Sequence, residues 1–226
     1  MKKIFLLLAY ILCATANAQN ISGIINIYTN VTAIGGANVT VGSAAGFAVG
    51  DKIMVIQMKG ATINNVNNAT FGNISSLNTA GQYETRTITV IAGNVITANS
   101  ALVNVYDVAN GFVQVVRVPT YCQPVVNTTL TCGAWNGTTG GVLAFDAGTL
   151  TLNSDINVTA LGFRGGTFTS NFFCCSSNVF AGPTNGGQKG ESISNWLVGL
   201  DKNKGKHANG GGGSNCGNSG GGGGGN

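Results

Sequence analysis

The chain has 226 residues, of which 43% are hydrophobic and only 8% are charged, against a usual charged share of about 25%. Glycine accounts for 36 residues, and Thr, Asn and Ser supply most of the remaining polarity. The 11 basic and 7 acidic side chains are scattered, without the basic stripe that binds nucleic acid. This composition is typical of exported β-rich proteins, and it argues against a nucleic-acid-binding protein and against a cytosolic enzyme.

The first 18 residues have the features of a secretory signal peptide. Lysines at positions 2 and 3 precede an apolar run from Ile4 to Ala14, and small residues then lead to a cleavage site between Ala18 and Gln19. The apolar run is shorter than the roughly 20 residues that span a membrane. A lipid anchor on Cys13 is an alternative, which the bulky Leu12 argues against. We expect a secreted or cell-surface protein that uses an export machinery and has no membrane span after cleavage.

Five cysteines follow the signal peptide, and an exported chain meets an oxidising compartment in which disulfides form. Cys122 and Cys132 are the best predicted pair, while the adjacent Cys174 and Cys175 are expected to reach different partners. With Cys216 the count is odd, so one thiol has no partner within the chain. A zinc site is not expected, because there is one histidine and no Cys-x-x-Cys spacing. No other cofactor is predicted.

Residues 19–120 are predicted to form a β domain of short strands. Runs rich in Val, Ile and Thr, which suit a pleated surface, alternate with Gly- and Asn-containing turns. The clearest runs are Lys52–Met58, Glu84–Ile91, Asn94–Ala98 and Gly111–Val118.

Residues 121–168 have shorter and more evenly punctuated strands. Pairs of apolar residues recur every six or seven positions, with Gly, Asn or Asp between them, and each pair is predicted to point inward. The pairs are Leu143 with Phe145, Leu150 with Leu152, and Ile156 with Val158. This pattern predicts a right-handed β-helix or another β-solenoid, with a β-sandwich as the alternative.

The remaining chain divides at about residue 208. Residues 169–208 contain cysteines but no periodicity, and are predicted to form an irregular region. Residues 209–226 are a glycine-rich low-complexity tract, which is either a flexible tether or an array of glycine strands packed backbone to backbone. Because the sequence stops within this tract, we expect it to be the N-terminal part of a longer protein.

No catalytic residue is predicted. His207, the only histidine, lies between lysines and the glycine tract, where we expect it to be poorly held. Asp146 and Asp155, with Arg164 nearby, suggest the groove of a polysaccharide lyase or hydrolase, but turn roles for both aspartates are favoured. The Gly162–Gly166 segment lacks phosphate-loop spacing and is interpreted as a tight bend.

Four aromatic residues are candidates for a platform on which sugars stack. In a β-rich protein with few charges, core positions are the favoured interpretation for such residues. The four are Tyr106, Tyr121, Trp135 and Trp196.

An ordered set of short motifs resembles a family of large surface proteins of gliding bacteria, described as adventurous-gliding-motility-like proteins and as cargo of the type IX secretion system. The resemblance implies export across the outer membrane and a role at or beyond the cell surface, with no established catalytic residues. Family members usually continue into further repeats and a sorting domain. The motifs are GFAVGDKIMVIQMKGA (46–61), AGQYE (80–84), VQVVRVPTY (113–121), AWNGTTGGVLAF (134–145), GFRGG (162–166) and KHANGGGG (206–213).

These observations lead to one function hypothesis and two alternatives. The hypothesis is a non-enzymatic, adhesin-like or gliding-associated structural module that contacts glycans or other surface polymers. The first alternative is a polysaccharide-active β-helix enzyme. The second is a structural stalk whose binding head lies elsewhere.

Overall fold

A computed structural model describes residues 19–167, 186–197, 199–203, 205–213 and 222. The predicted signal peptide, Cys174, Cys175 and Cys216 lie outside these residues. All regular elements of the described residues are strands, so the all-β prediction is confirmed. Within the same residues, no helix has the length and apolarity needed to cross a membrane.

Six antiparallel strands close into a barrel. They are β3 (Tyr28–Gly35), β4 (Asn38–Val41), β5 (Lys52–Gln57), β8 (Tyr83–Ala92), β9 (Val95–Ala98) and β10 (Val113–Val118). Their order around the barrel is β10-β3-β4-β9-β8-β5. A small hairpin of β6 (Thr62–Ile63) and β7 (Ile74–Ser76) extends from one end of the barrel.

The barrel core is aliphatic. Every second residue of β5 is buried, which is the two-residue period of a strand with one face toward a core. Ile53 and Val55 of this strand are fully buried, as are Val39, Ile96 and Val115 on the strands around it. Burial of β-branched side chains, each worth about 1.5–3 kcal/mol, therefore stabilises this part of the chain.

Seven very short strands form a second body, which we call the solenoid part. All of its strand pairs are parallel. The ladder partners Thr120 and Asp146 are 26 residues apart, and so are Asn127 and Asn153, so one coil takes 26 residues. The strands are β1 (Gln19–Asn20), β2 (Gly23–Ile24), β11 (Thr120–Tyr121), β12 (Pro124–Val126), β13 (Leu130–Thr131), β14 (Asp146–Ala147) and β15 (Thr151–Leu152).

The first two strands belong to this solenoid part rather than to the barrel that follows them. Gln19 pairs with Pro124, and Gly23 pairs with Leu130. The barrel is therefore an insertion between two coils. The structure divides the chain differently from the predicted boundary at residue 120, because parallel pairing reaches back across the whole barrel.

The predicted inward pairs have mixed outcomes. Leu143 and Phe145 pack against a small core of Ile21, Val126 and Leu130. In contrast, the side chains predicted to point inward from the next coil are exposed, at 37% for Leu150, 54% for Leu152, 40% for Ile156 and 45% for Val158. The physical reason is that this coil is the last one among the described residues. Its strand β15 pairs only with β12, so no further described coil covers these side chains.

Polar side chains of the barrel join it to the solenoid part. The buried amide of Gln114 both donates to and accepts from the backbone of Gly140, at 3.0 and 2.8 Å. Asn26 makes the same two-way contact with Ala144. These amides mimic a neighbouring strand, so they satisfy backbone groups that would otherwise be buried without partners.

The cysteine pairing differs from the prediction. Cys132 is a free, buried thiol, and burial raises its pKa. Cys122 is disulfide-bonded, so its partner is not Cys132. The predicted Cys122–Cys132 pair is therefore wrong. Ten residues of sequence separation did not identify a pair because the coil sends the two side chains to different surroundings.

Residues 186–197, 199–203 and 205–213, which we call the glycine segment, pack by backbone contact. The Gly190 amide donates to the Gly211 carbonyl at 2.8 Å, and the Gly222 amide donates to Gly212 at 2.9 Å. A Cβ atom on Gly213 would overlap the carbonyl oxygen of Gly187. Of the two predicted fates of the tract, the described residues follow the packed one.

Candidate functional site

The barrel, the solenoid part and the glycine segment meet at a buried ion-pair cluster. Lys59, which follows β5, donates through Nζ to Glu191 Oε1 at 2.5 Å, and both side chains are at most 4% exposed. Arg164, at the end of the last described coil, donates through Nε to Glu191 Oε2 at 2.9 Å. Glu191 thus joins three regions of the chain through its single carboxylate.

Aromatic rings surround the cationic end of this cluster. Lys59 Nζ lies 5.4 Å from the ring centroids of both Phe112 and Phe163, and 5.8 Å from that of Trp196. Cation–π attraction at such distances partly replaces the hydration that Lys59 loses on burial.

The charges of the cluster depend on one another. Burial alone raises the pKa of Glu191, but hydrogen bonds from Arg164 and Lys59 outweigh it and lower that pKa to about 2. Burial lowers the pKa of Lys59, which the bond to Glu191 opposes. Removing either partner would leave a desolvated charge, a change that costs about 3–5 kcal/mol in buried pairs.

A cleft of about 380 Å³ adjoins the cluster. It has two walls, one from the barrel with its hairpin and one from the glycine segment. The barrel wall comprises Gly60, Ala61, Thr62, Ile63, Asn65, Asn78, Asp107 and Asn110, and the other wall comprises Ser194, Asn195 and Leu197.

The buried side chain of Gln57 supports the loops that form the barrel wall of the cleft. Its buried Nε2 donates to the carbonyls of Lys59 and Asn78, at 2.8 and 2.9 Å. Its Oε1 accepts from the Thr79 hydroxyl and the Asp107 amide. One side chain therefore fixes three loops at the end of the barrel, which gives the cleft a rigid wall.

The cleft offers neutral hydrogen-bonding groups. The carboxylate of Asp107 already accepts from the backbone and side-chain amides of Asn110, so it acts as a turn-forming group. Among the residues that the structure describes, no Lys or Arg lines the cleft. Asn65 is exposed and has no hydrogen-bond partner among the described residues. Amides both donate and accept, and Ile63 and Leu197 add apolar surface beside them.

His207 is held firmly, contrary to expectation. It is fully buried, and its Nδ1 lies 2.8 Å from Ser192 Oγ, which is also fully buried. Burial, then the nearby charges of Lys189 and Lys59, lowers the pKa of His207 to about 4. The local sequence did not predict the burial of His207, because the glycine segment is ordered by packing against distant parts of the chain. A substrate has no access to this Ser–His contact, so it is structural.

The two predicted aspartates occupy separate positions. Asp146 forms an ion pair with Lys52 at 2.8 Å, while Asp155 is exposed and its carbonyl accepts from Leu130. Neither carboxylate contacts the other or Arg164, which binds Glu191 instead. Among the described residues, no cluster of three or more His, Cys, Asp or Glu side chains is suited to a metal ion.

The four aromatic candidates do not assemble into one platform. Trp135 is 3% exposed and packs edge-to-face on Phe163, while Tyr121 packs edge-to-face on Phe145. Tyr106 packs against the barrel core. Trp196 lies over Lys59. All four therefore stabilise the fold.

Sequence reasoning missed the residues that matter most at this junction. Lys59 and Glu191 are 132 positions apart, and neither belongs to a motif of known spacing. One signal was present: in a chain with so few charges, a lysine directly after a run as apolar as Lys52–Met58 needs a partner if it is buried.

No family model matches the chain, and no curated protein matches it. Three solved structures align with it, all of them phage tailspikes. Tailspike gp61 of Pseudomonas phage phi297 is 12% identical over 50% of this chain and 22% of its own, with a TM-score of 0.28. Gp54 of Acinetobacter baumannii phage AP22, solved in complex with capsular saccharide, is 9% identical over 60% and 22%, with a TM-score of 0.31.

The third structure, tailspike gp49 of Pseudomonas phage LKA1, is 14% identical over 64% of this chain and 24% of its own, with a TM-score of 0.27. The chain thus spans less than a quarter of each tailspike. At these scores the alignments carry no argument, and the fold assignment rests on the strand pairing described above.

Proposed function

We propose that the chain is an exported, non-enzymatic module of the cell surface or extracellular matrix that binds glycans. The observation that carries the proposal is the cleft of about 380 Å³, with walls of amide and hydroxyl groups and a few apolar side chains. Small-ligand sites are concave, with apolar surface and a few placed polar groups. Sugar hydroxyls both donate and accept, as amides do.

The weakly charged composition and the rigid all-β framework support the same role. The barrel and the solenoid part are joined by buried amide contacts, so the cleft is presented on a stiff body. Association with gliding or with type IX secretion, implied by the motif resemblance, is part of this proposal.

Binding to immobilised glycans tests the proposal. The exported full chain is passed over neutral polysaccharides (dextran, mannan, cellulose) and over acidic ones (alginate, polygalacturonate). We expect retention on at least one neutral polymer and release by its soluble oligosaccharide. Asn65→Ala should weaken retention about fivefold, the effect of one lost hydrogen bond of about 1 kcal/mol. The matched control is Asn104→Ala, because Asn104 lies outside the cleft lining.

The enzymatic alternative gives a different result in the same experiment. New reducing ends or unsaturated uronates that appear with time, and disappear with Asp146→Ala or Asp155→Ala, would contradict the non-enzymatic proposal. Absence of retention on every polymer would contradict glycan binding and would favour a structural stalk.

A further inference from the structure

The two walls of the cleft come from parts of the chain that are far apart in sequence. The backbone amides of Gly60 and Ala61 both donate to the carbonyl of Ile193, at 2.9 and 3.1 Å. Asn195 Nδ2 donates to the carbonyl of Asn110 at 2.8 Å. Residues 193–195 thus lie against the end of the barrel, an arrangement that we call the seated state. The cleft exists only in this state.

The ion-pair cluster adjoins both walls. Lys59 directly precedes Gly60, and Glu191 lies two residues before Ile193. The Lys59–Glu191 contact at 2.5 Å therefore fastens the two walls immediately beside the cleft. The contact between the glycine segment and the barrel includes few aliphatic side chains, because most of the buried side chains of the segment are polar. Among them are Lys189, Ser192, Ser194, Asn203 and His207.

The chemistry of the lining selects the ligand. The two cationic groups of the adjoining cluster, Lys59 and Arg164, both bind Glu191. Asp107 contributes a carboxylate to the described lining, and this negative charge would repel an anionic polymer. The lining therefore suits a neutral, hydroxyl-rich saccharide and disfavours uronates or sulfated glycans.

We propose that this cleft is a composite saccharide site, in which a neutral glycan binds across both walls and thereby fastens the glycine segment to the barrel. The inference rests on the proposed function. A ligand that contacts both walls binds only the seated state, so it stabilises that state by mass action. In turn, a variant with a smaller seated fraction has a proportionally lower apparent affinity.

Glu191→Gln tests this coupling, with Asp146→Asn as its matched control, because Asp146 forms an ion pair with Lys52 away from the cleft. The full chain is studied by hydrogen exchange of residues 187–213 and by titration with the soluble neutral oligosaccharide that wild type binds. In Glu191→Gln we expect faster exchange of this segment without ligand, and affinity about tenfold weaker if one molecule in ten is seated. Saturating oligosaccharide should slow the exchange again.

Two further variants do not depend on the ion pair. Asn65→Ala removes an amide from the barrel wall and Leu197→Ala removes apolar surface from the other wall, and each should weaken binding about fivefold, the effect of about 1 kcal/mol. If only one wall contributes, or if Glu191→Gln exchanges rapidly yet binds as wild type does, the composite site is overturned while the proposed function stands. If wild type binds no neutral saccharide, the inference and the proposed function fail together.

Discussion

The barrel and the glycine segment are ordered by opposite means. The barrel buries aliphatic side chains, with Ile53, Val55 and Ile96 fully enclosed. The glycine segment buries Lys189, Glu191 and His207 and packs by backbone contact. Aliphatic burial involves no titrating group, whereas a buried polar network needs every partner in place. The two regions should therefore fail under different perturbations.

The largest effect is expected from a cavity in the barrel. Ile53→Ala removes a fully buried side chain, a change that costs about 2–5 kcal/mol. The free energy of global unfolding should fall by that amount, which lowers the urea midpoint. Val90→Ala is the matched control, because Val90 is on a barrel strand but 51% exposed, and it should change the midpoint little. Equal destabilisation by the two variants would contradict the assignment of the core.

A smaller and local effect is expected from a side chain within the backbone-packed region. Gly213→Ala places a Cβ atom against the Gly187 carbonyl, and overpacking of this kind costs about 1–3 kcal/mol. Hydrogen exchange should accelerate in the glycine segment and remain unchanged in the barrel. Gly165→Ala is the control, since a Cβ atom there meets nothing within 4 Å. Unchanged exchange in Gly213→Ala would show that the glycine packing is loose.

Acid should also separate the two regions. The pKa of His207 is lowered to about 4 by burial and the neighbouring lysines, while in the unfolded chain it is about 6.5. The unfolded state therefore binds more protons between these values, and stability of the segment is lost as pH falls from about 6.5 to 4. The opening constant of the segment should rise by up to about tenfold per pH unit.

The same titration has an internal check. His207→Gln should abolish the change between pH 6.5 and 4.5 but leave a further loss below pH 4.5. That loss comes from Glu191, whose pKa is held at about 2 by Arg164 and Lys59 against the effect of burial. Barrel exchange should respond much less in this range, because its buried core consists of Val, Ile and Phe side chains, which do not titrate. A barrel that loosens in parallel with the segment would contradict the separation.

The limits of sequence-based prediction follow the same division. Buried and half-buried residues alternate along Lys52–Gln57, and the strand itself is visible in the sequence as a run of mostly apolar residues. The β strands of the barrel were therefore predictable from their own residues. The exposure of Leu152 and Ile156 depends on which coil lies beside them, and no local pattern contains that information. The Lys59–Glu191 contact joins positions 132 residues apart, and the burial of His207 also depends on packing with distant parts of the chain. Side chains that act through long-range polar contacts were therefore the ones missed.

The smallest effect should come from the outer surface of the solenoid part, where three asparagines form a ladder across successive coils. Asn127 Nδ2 donates to Asn20 Oδ1 at 2.7 Å, and Asn153 Nδ2 donates to Asn127 Oδ1 at 2.8 Å. Asn127→Ala removes both bonds, but the exposed partners regain water, so the expected loss is about 1 kcal/mol.

A double-mutant cycle separates the ladder from simple loss of side chains. If the Asn127–Asn153 bond contributes, Asn127→Ala and Asn153→Ala together should destabilise by less than the sum of the two single changes. Additive effects would mean that the coils are held by their parallel backbone pairs and by the small core of Ile21, Val126 and Leu130, without a contribution from the ladder. The solenoid part would then lie between the other two regions, since it combines the backbone pairing of the glycine segment with an aliphatic core much smaller than that of the barrel.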